Sequence, residues 1–392
     1  MRKRKFGLLP KILIAIVLGI GIGSISPEWL VAGSATFSGL FGNFLGFAIP
    51  LIIIGFIAPG IGELGKGAGR LLGATTGLAY LSTIIAGILA FLAASLLYPY
   101  ILDSGGLVNS FANPEEALLE PFFKVEMPPV FGVMTALLLA FTLGLGSAVI
   151  NGQALQKVLV DIREVVEKLI NALIIPLLPY HIMCVFANLA YGGQVTVILS
   201  VFAKVFVMVI ALHVIYLIMQ FLAAGQIGRK NPFILLKNML PAYFTAIGTQ
   251  SSAAAIPVTL RQTKQNGING KVADFVIPLC STIHLSGSTI TLVSCSMAVM
   301  LLTGMTPSMG TMLPFILMLG ITMVAAPGVP GGAVMAALGL LESMLGFDTT
   351  LTSLMIALYI AQDSFGTACN VTGDGAIAVI MDRVSRSRSE AA

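Results

Sequence analysis

Two carboxylates stand out in the last apolar stretch of the chain, because Asp363 and Asp374 are its only charges between residues 349 and 381. They are 11 positions apart, which brings both to one face of a helix, about 16 Å apart along its axis. That face also carries Gly366, Thr367 and Asn370. A carboxylate inside a membrane costs at least about 2.5 kcal/mol, so it marks by default an ion or substrate pathway. The alternative is a pair of acids that bond to neighbouring helices for packing alone.

The composition is that of an integral membrane protein. Of the 392 residues, 57% are hydrophobic and 10% are charged, against about 25% charged in soluble domains. The first half contains apolar runs at 11–33, 38–59, 70–101, 129–150, 169–192 and 195–226. Their length and their Leu, Ile, Ala and Gly content favour membrane-spanning helices over the shorter alternating strands of a barrel.

The charge distribution predicts the orientation in the membrane. With a cytoplasmic N-terminus, every Lys and Arg except Lys124 and Lys204 falls on the inner side, whereas the predicted outer loop at 102–128 is acidic. We therefore expect a plasma-membrane protein with both termini in the cytoplasm. The basic start and first apolar run are interpreted as a retained helix, not a signal peptide. The net charge of +4 reflects this topology and does not indicate a nucleic-acid partner.

Two segments of the second half cannot be uninterrupted helices. The middle of 231–260 reads GTQSSAAAIP, and the middle of 311–345 reads AAPGVPGGA. Because proline and glycine disrupt helices, each segment should break near its centre and return as a re-entrant hairpin. Each is followed by a long span, 272–303 or 349–382. This arrangement is typical of inverted repeats with a binding site at the midplane.

The cysteines and histidines form no motif of their own. All four cysteines lie in apolar segments without paired spacing: Cys184, Cys280, Cys295 and Cys369. We expect neither a disulfide framework nor a cysteine metal site. His181 and His213 are interpreted as structural residues inside the helical bundle.

Four motifs together resemble one known family. They are SSAAAIP at 251–257, STIHLSGST at 281–289, PGVPGG at 327–332 and DSFGTACNVTGD at 363–374. The chain is similar to the dicarboxylate/amino acid:cation symporters, which include glutamate and neutral amino acid transporters. The resemblance implies an all-α polytopic membrane protein with eight transmembrane helices and two re-entrant hairpins. It also implies inverted repeats, an elevator mechanism and a homotrimer.

The resemblance divides the chain between a scaffold and a mobile transport domain. Scaffold helices 1 and 2 correspond to 1–70, and transport helix 3 with the outer loop corresponds to 71–128. Scaffold helices 4 and 5 and transport helix 6 lie in 129–226. The transport core is 231–382, made of hairpin 231–260, helix 272–303, hairpin 311–345 and helix 349–382. A cytoplasmic tail follows at 383–392.

The same resemblance assigns roles to individual residues. It implies that Asp363 binds the substrate ammonium and that Asp374 binds sodium. The α-carboxylate would be held by Asn370 with the first hairpin tip, and the second tip would be a lid. The full implied substrate site is Ser251, Ser252, Ser288, Val329, Pro330, Gly331, Asp363, Gly366, Thr367 and Asn370. The implied sodium or proton site is Asp374, Asn370, Cys280, His284 and Thr282.

Departures from the family pattern narrow the expected substrate and ions. Members with acidic substrates carry an arginine where this chain has Gly366 or Gln250. Without a guanidinium, a side-chain carboxylate would be buried unpaired, so we predict a neutral amino acid. Where sodium-coupled members commonly read Asn-Met-Asp-Gly-Thr, His284 and Ser286 replace Asn and Asp. A proton on His284 could replace one sodium ion, or His284 could be a neutral structural histidine.

Other functions remain open from the residues alone. A symporter for acidic amino acids or dicarboxylates is the main alternative. An ion channel would also explain intramembrane carboxylates and re-entrant loops. An intramembrane hydrolase could pair Ser251 or Ser252 with His284, but it lacks an orienting third group and leaves both aspartates unused. We therefore expect a transporter and not an enzyme.

Overall fold

The computed structural model describes residues 8–65, 70–102, 118–150, 153–324, 326 and 330–389, and it contains no strand in these ranges. The helices of the first half are α1 (Leu8–Ile25), α2 (Glu28–Gly65), α3 (Arg70–Ile101), α4 (Val133–Val149), α5 (Gln153–Leu169), α6 (Ile175–Tyr191) and α7 (Val195–Gly228). A π-helical turn, Ile170–Ile174, joins α5 to α6.

The second half consists of shorter helices followed by one long helix. These are α8 (Pro232–Thr249), α9 (Ser252–Gln265), α10 (Gly270–Ile283), α11 (Ser286–Leu302), α12 (Met309–Val324), α13 (Gly332–Leu345) and α14 (Thr349–Ser389). Helix α14 covers the predicted span 349–382 without a break and continues into the segment expected as a tail.

The helices have the length and composition of a polytopic membrane protein, as predicted. Within the described residues, 5 helical segments are long and apolar enough to cross a bilayer. They are Glu28–Gly62, Leu71–Ile101, Gln153–Tyr191, Val195–Gly228 and Gly270–Leu302. Shorter apolar helices accompany them at Pro10–Ile25, Leu138–Val149, Met309–Val324 and Gly332–Leu345.

The first two helices meet earlier than the apolar runs suggested. Helix α1 ends at Ile25 and α2 begins at Glu28, whereas the hydropathy pattern placed this boundary after residue 33. Pro27 lies between them and disfavours helical backbone at the residue before it. The predicted run 38–59 is therefore the interior of a helix of 38 residues.

The first hairpin turns where the small residues begin. Helix α8 ends at Thr249, Gln250 adopts a left-handed conformation with φ 53°, and the Ser251 hydroxyl accepts a hydrogen bond from the Ala254 amide at 3.3 Å. Helices α8 and α9 then pack against each other. The predicted break is present, but Pro257 lies inside α9. A single proline removes one backbone bond, which α9 tolerates.

The second hairpin is formed by α12 and α13, which also pack together. Its tip includes residues 325 and 327–329, which lie outside the described part of the chain. The described part of the tip ends at Gly331, which directly precedes α13 and has a φ of 74°. Glycine adopts this left-handed backbone without a steric penalty.

The span predicted at 272–303 is not one helix, and this is the main correction to the expected architecture. Helix α10 ends at Ile283, Leu285 is non-helical with φ −115° and ψ 47°, and α11 starts at Ser286. The break is stabilised from outside the segment. The side-chain oxygen of Asn370 accepts hydrogen bonds from the amides of Gly287 and Ser288, which would otherwise be unsatisfied at the start of α11.

Helix α14 is the hub of the second half. It packs against α3, α7, α8, α9, α10, α11 and α13, and it also contacts α1, α2 and α6. A second group of contacts joins α1 to α6 and α2 to α4, α5 and α6. Both aspartates of α14 are thereby enclosed by helices, with 5% of Asp363 and 1% of Asp374 exposed.

Candidate substrate and cation site

Asp363 faces the tip of the second hairpin. Its Oδ2 atom accepts a hydrogen bond of 2.7 Å from the amide of Gly331. The donor lies at the N-terminus of α13, where the helix dipole favours a negative charge. Pro330 adjoins this contact and is half-buried, whereas Val329 lies outside the described residues. The described end of the second tip, Gly331, therefore lies directly against the carboxylate.

The other implied substrate residues lie on three elements. Ser252 is buried at the start of α9, and Gly366 and Thr367 are buried on α14 beyond Asp363. Ser288 is buried in the first turn of α11, where its hydroxyl oxygen accepts a hydrogen bond from the Asn370 amide at 3.0 Å. Together these positions offer hydroxyl and amide groups suited to a polar ligand.

The side chain of Asn370 bonds mainly to the backbone at the break between α10 and α11. Its Oδ1 atom is 2.7 Å from the Gly287 nitrogen and 3.3 Å from the Ser288 nitrogen. The oxygen is therefore committed to capping α11. Its amide nitrogen has two N–H donors, and the one not used by Ser288 is the part of the side chain suited to a carboxylate.

The close approach of α11 to α14 depends on Gly287. A Cβ atom at this position would lie 2.4 Å from the Gly366 carbonyl oxygen and 2.6 Å from Cys369 Cβ. Both distances are shorter than van der Waals contact permits. Only glycine therefore allows Asn370 to reach the first amides of α11.

Asp374 lies beside His284, which the family resemblance placed in the same cation site. Its Oδ1 atom lies 2.9 Å from Nδ1 of His284, at the break before α11. The direct bond between the two side chains was not predicted. The Oδ2 atom of Asp374 is buried and has no hydrogen-bond partner among the described residues. One carboxylate oxygen thus pairs with histidine, and the other can accept a cation.

The remaining residues of the implied cation site are not equally placed. Cys280 is buried in α10, and its carbonyl accepts a hydrogen bond from the His284 amide at 2.9 Å. Thr282 is exposed, and its hydroxyl bonds to the Leu279 carbonyl at 2.8 Å. The structure therefore does not bring the Thr282 side chain to Asp374.

Three residues around His284 were missed by the sequence analysis. Ser82 and Gln220 contact its Nε2 atom, and Tyr216 contacts Ser82. Each is a polar residue in a mainly apolar span, but other polar residues share these spans, so the sequence alone did not single them out. Their joint location could not be foreseen, because they come from α3 and α7.

The geometry argues against a serine hydrolase. Both ring nitrogens of His284 have partners in the described part of the chain: Nδ1 faces Asp374, and Nε2 faces Ser82 and Gln220. A cavity of about 560 Å³ is lined by residues between 118 and 124 and by residues of α2, α6 and the start of α14, and its lining does not include Asp363 or Asp374.

Comparison with known proteins identifies the family. Residues 8–384 match the sodium:dicarboxylate symporter family. The chain belongs to this family. This symporter is also similar to the serine/threonine transporter SstT of Acinetobacter baumannii, from strains AYE and AB307-0294, at 26% identity over 399 residues and 98% of each chain. The predictions of a cation-coupled symporter and of a protein that is not an enzyme are confirmed.

We predict that Gly287→Ala destabilises the symporter. The added methyl forces α11 away from α14, and such overpacking costs about 1–3 kcal/mol. The thermal unfolding temperature in detergent should fall, and substrate binding should weaken because Asn370 loses its contacts. Gly77→Ala in α3 is the control, since a Cβ there meets nothing within 4 Å. Equal stability of the two variants would contradict the packing argument.

Proposed function

We propose that this symporter carries a neutral amino acid across the plasma membrane, driven by a sodium gradient, a proton gradient or both. The observation that carries the proposal is Asp363, a buried carboxylate that accepts a hydrogen bond from the Gly331 amide, interacts with the Tyr359 hydroxyl and has no cationic partner among the described residues. An ammonium group would neutralise this charge. Gly366 and Gln250 offer no guanidinium for a second substrate carboxylate. The SstT relatives, described as serine/threonine transporters, support a small hydroxylated substrate.

The α-carboxylate of the substrate is held on the opposite side of the site. Asn370 contributes its second N–H, and Ser251 and Ser252 contribute the N-terminal end of α9. A helix N-terminus favours an anion. Thr367 and Ser288 complete the polar lining, which suits a short hydroxylated side chain.

A division into scaffold and transport domain accounts for the two packing groups. The helices α1, α2, α4, α5 and α6 form the scaffold, and α3 with α7 to α14 forms the moving domain. The basic loops orient both termini towards the cytoplasm. We propose that the protein forms a homotrimer through the outer face of the scaffold. This face exposes apolar residues on neighbouring helices: Leu138, Leu145 and Val149 of α4 and Val158, Ile162 and Val165 of α5.

The substrate assignment predicts uptake of neutral amino acids, serine and threonine first, into liposomes under an inward sodium or proton gradient. Asp363→Asn should weaken substrate binding at least about a hundredfold, because the charge opposite the ammonium is lost. Asp348→Asn is the matched control, since Asp348 caps the start of the same helix and asparagine caps equally well.

Binding is measured by isothermal titration, and native mass spectrometry of the same preparations tests the trimer. Accumulation of glutamate or aspartate without any neutral amino acid would refute the neutral assignment. Normal binding by Asp363→Asn would refute the role of Asp363.

The lid assignment predicts that Gly331→Ala weakens substrate binding. Its φ of 74° strains any residue with a Cβ, so the Gly331 amide should lose its position over Asp363. Gly346→Ala at the other end of α13 is the control, because φ there is 71° and a Cβ meets nothing within 4 Å. Both variants should lose similar stability in thermal unfolding. Equal loss of affinity in both would show that helix strain, and not the lid, is responsible.

The coupled cation is proposed to bind at Asp374. A hard cation prefers oxygen ligands, and Asp374 Oδ2 is a buried carboxylate oxygen without a partner in the described chain. Carbonyls near Asn370 and the Cys280 carbonyl are further candidates. Ser286 offers a hydroxyl where relatives commonly carry a carboxylate, which removes the counter-charge for a second cation. Fewer sodium ions should therefore be coupled than in acidic amino acid transporters.

The cation assignment is tested by measuring substrate uptake at a series of sodium concentrations and pH values. Asp374→Asn should abolish sodium dependence, because the remaining amide carries no charge. If His284 exchanges a proton during transport, His284→Asn should remove the dependence on a proton gradient. If wild-type uptake does not change with sodium concentration and depends only on the proton gradient, sodium coupling through Asp374 is refuted. Unchanged pH dependence in His284→Asn would identify a structural histidine.

A further inference from the structure

A cluster of buried polar side chains lies behind His284, on the side away from Asp374. Ser82 Oγ is 2.9 Å from His284 Nε2, and Gln220 Nε2 is 3.3 Å from the same atom. Ser82 Oγ is also 2.8 Å from the Tyr216 hydroxyl and 3.0 Å from Gln220 Nε2. These three residues, Ser82, Tyr216 and Gln220, are called the positioning cluster below.

The hydrogen-bond directions in the cluster are mutually consistent. The Tyr216 hydroxyl donates to the Ser82 carbonyl at 2.5 Å, so the single Ser82 proton is shared between the Tyr216 oxygen at 2.8 Å and His284 Nε2 at 2.9 Å. The amide nitrogen of Gln220, which can only donate, also faces His284 Nε2 at 3.3 Å. A neutral imidazole that accepts at Nε2 must carry its proton on Nδ1. That proton points at Asp374 Oδ1, 2.9 Å away. The cluster therefore selects the tautomer that bonds to the carboxylate.

Packing against α14 reinforces this orientation. A Cβ atom on Gly373 would lie 2.6 Å from Gln220 Oε1 and 3.0 Å from His284 Cε1. The side chains of Gln220 and His284 thus both pack closely against the backbone next to Asp374. On the other side, Ser82, Tyr216 and Gln220 line a cavity of about 210 Å³ between α3, α7 and α14. Hydrogen bonds, more than packing from behind, hold the ring.

We infer that Ser82, Tyr216 and Gln220 are positioning residues that hold His284 on one oxygen of Asp374 and leave the other oxygen for the coupled cation. The inference rests on the proposed cation site at Asp374. The positioned imidazole restricts the cation to the Oδ2 atom of Asp374. Its N–H also draws negative charge towards Oδ1. Helices α3 and α7 thereby set the cation affinity of a site formed by α10 and α14.

The first test measures sodium binding to purified protein through thermal stabilisation. Gln220→Met keeps the side-chain length but removes the amide, and the adjoining cavity leaves room for it. Releasing His284 from Asp374 should make both carboxylate oxygens available and lower the sodium concentration for half-maximal stabilisation about fivefold or more. Ser82→Ala should act likewise, whereas Ser82→Thr, which retains the hydroxyl, should resemble the wild type. An unchanged or higher midpoint in Gln220→Met would overturn the inference.

A double-mutant cycle separates positioning from general packing. In the His284→Asn background, Gln220→Met should have no further effect on the sodium midpoint, because the group that it positions is gone. A shift of the same size in both backgrounds would mean that Gln220 acts through packing of α7 on α14. That result would also overturn the inference.

A second readout does not depend on sodium. Imidazole ¹⁵N chemical shifts of labelled protein, assigned with His284→Asn, should identify the Nδ1-protonated tautomer of His284 in the wild type. The double variant Ser82→Ala with Gln220→Met should lose that signature. Its retention would refute the positioning role. Loss of the signature in a protein that sodium does not stabilise would uphold positioning and refute only the proposed sodium site.

Discussion

A carboxylate enclosed by membrane helices must be paired, and this constraint organises the second half of the chain. Water cannot solvate Asp363 or Asp374, and hydrocarbon offers no hydrogen bonds. Donors must therefore come from the protein. Asp363 receives the Gly331 amide at the start of α13, and Asp374 receives the imidazole at the end of α10. Both donors are available because a helix ends or begins beside α14.

In return, α14 provides a hydrogen-bond partner for backbone amides where the helices are interrupted. The start of α11 would leave amides without partners, and Asn370 accepts hydrogen bonds from two of them, those of Gly287 and Ser288. Gly287 makes this possible by letting the two backbones approach. The polar face of α14 thus has two structural tasks before any ligand binds. It stabilises the break before α11, and it presents carboxylates to the ends of neighbouring helices.

Local patterns in the sequence predict much of this architecture. The apolar runs, the interrupted hairpins and the polar face of α14 are each encoded within one segment, so composition and periodicity reveal them. The break after Ile283 is different, because its motif contains neither proline nor a run of glycines. Its stabilising group, Asn370, lies 83 positions from Gly287. Pro257 shows the converse case: the predicted break of its segment is present at Gln250 and Ser251, and the proline itself lies inside α9.

The two aspartates differ in how replaceable their partners are. Asp363 is paired with a backbone amide on a hairpin tip that projects from α13. An ammonium group would bring a full positive charge where the amide offers only a dipole, so a substrate can displace this contact. Asp374 is paired with an imidazole that is bonded from behind by Ser82 and Gln220 and pressed against Gly373. Exchange is therefore favoured at Asp363, and a fixed geometry is favoured at Asp374. The difference fits the proposed roles, in which a substrate is released at Asp363 and a cation is selected at Asp374.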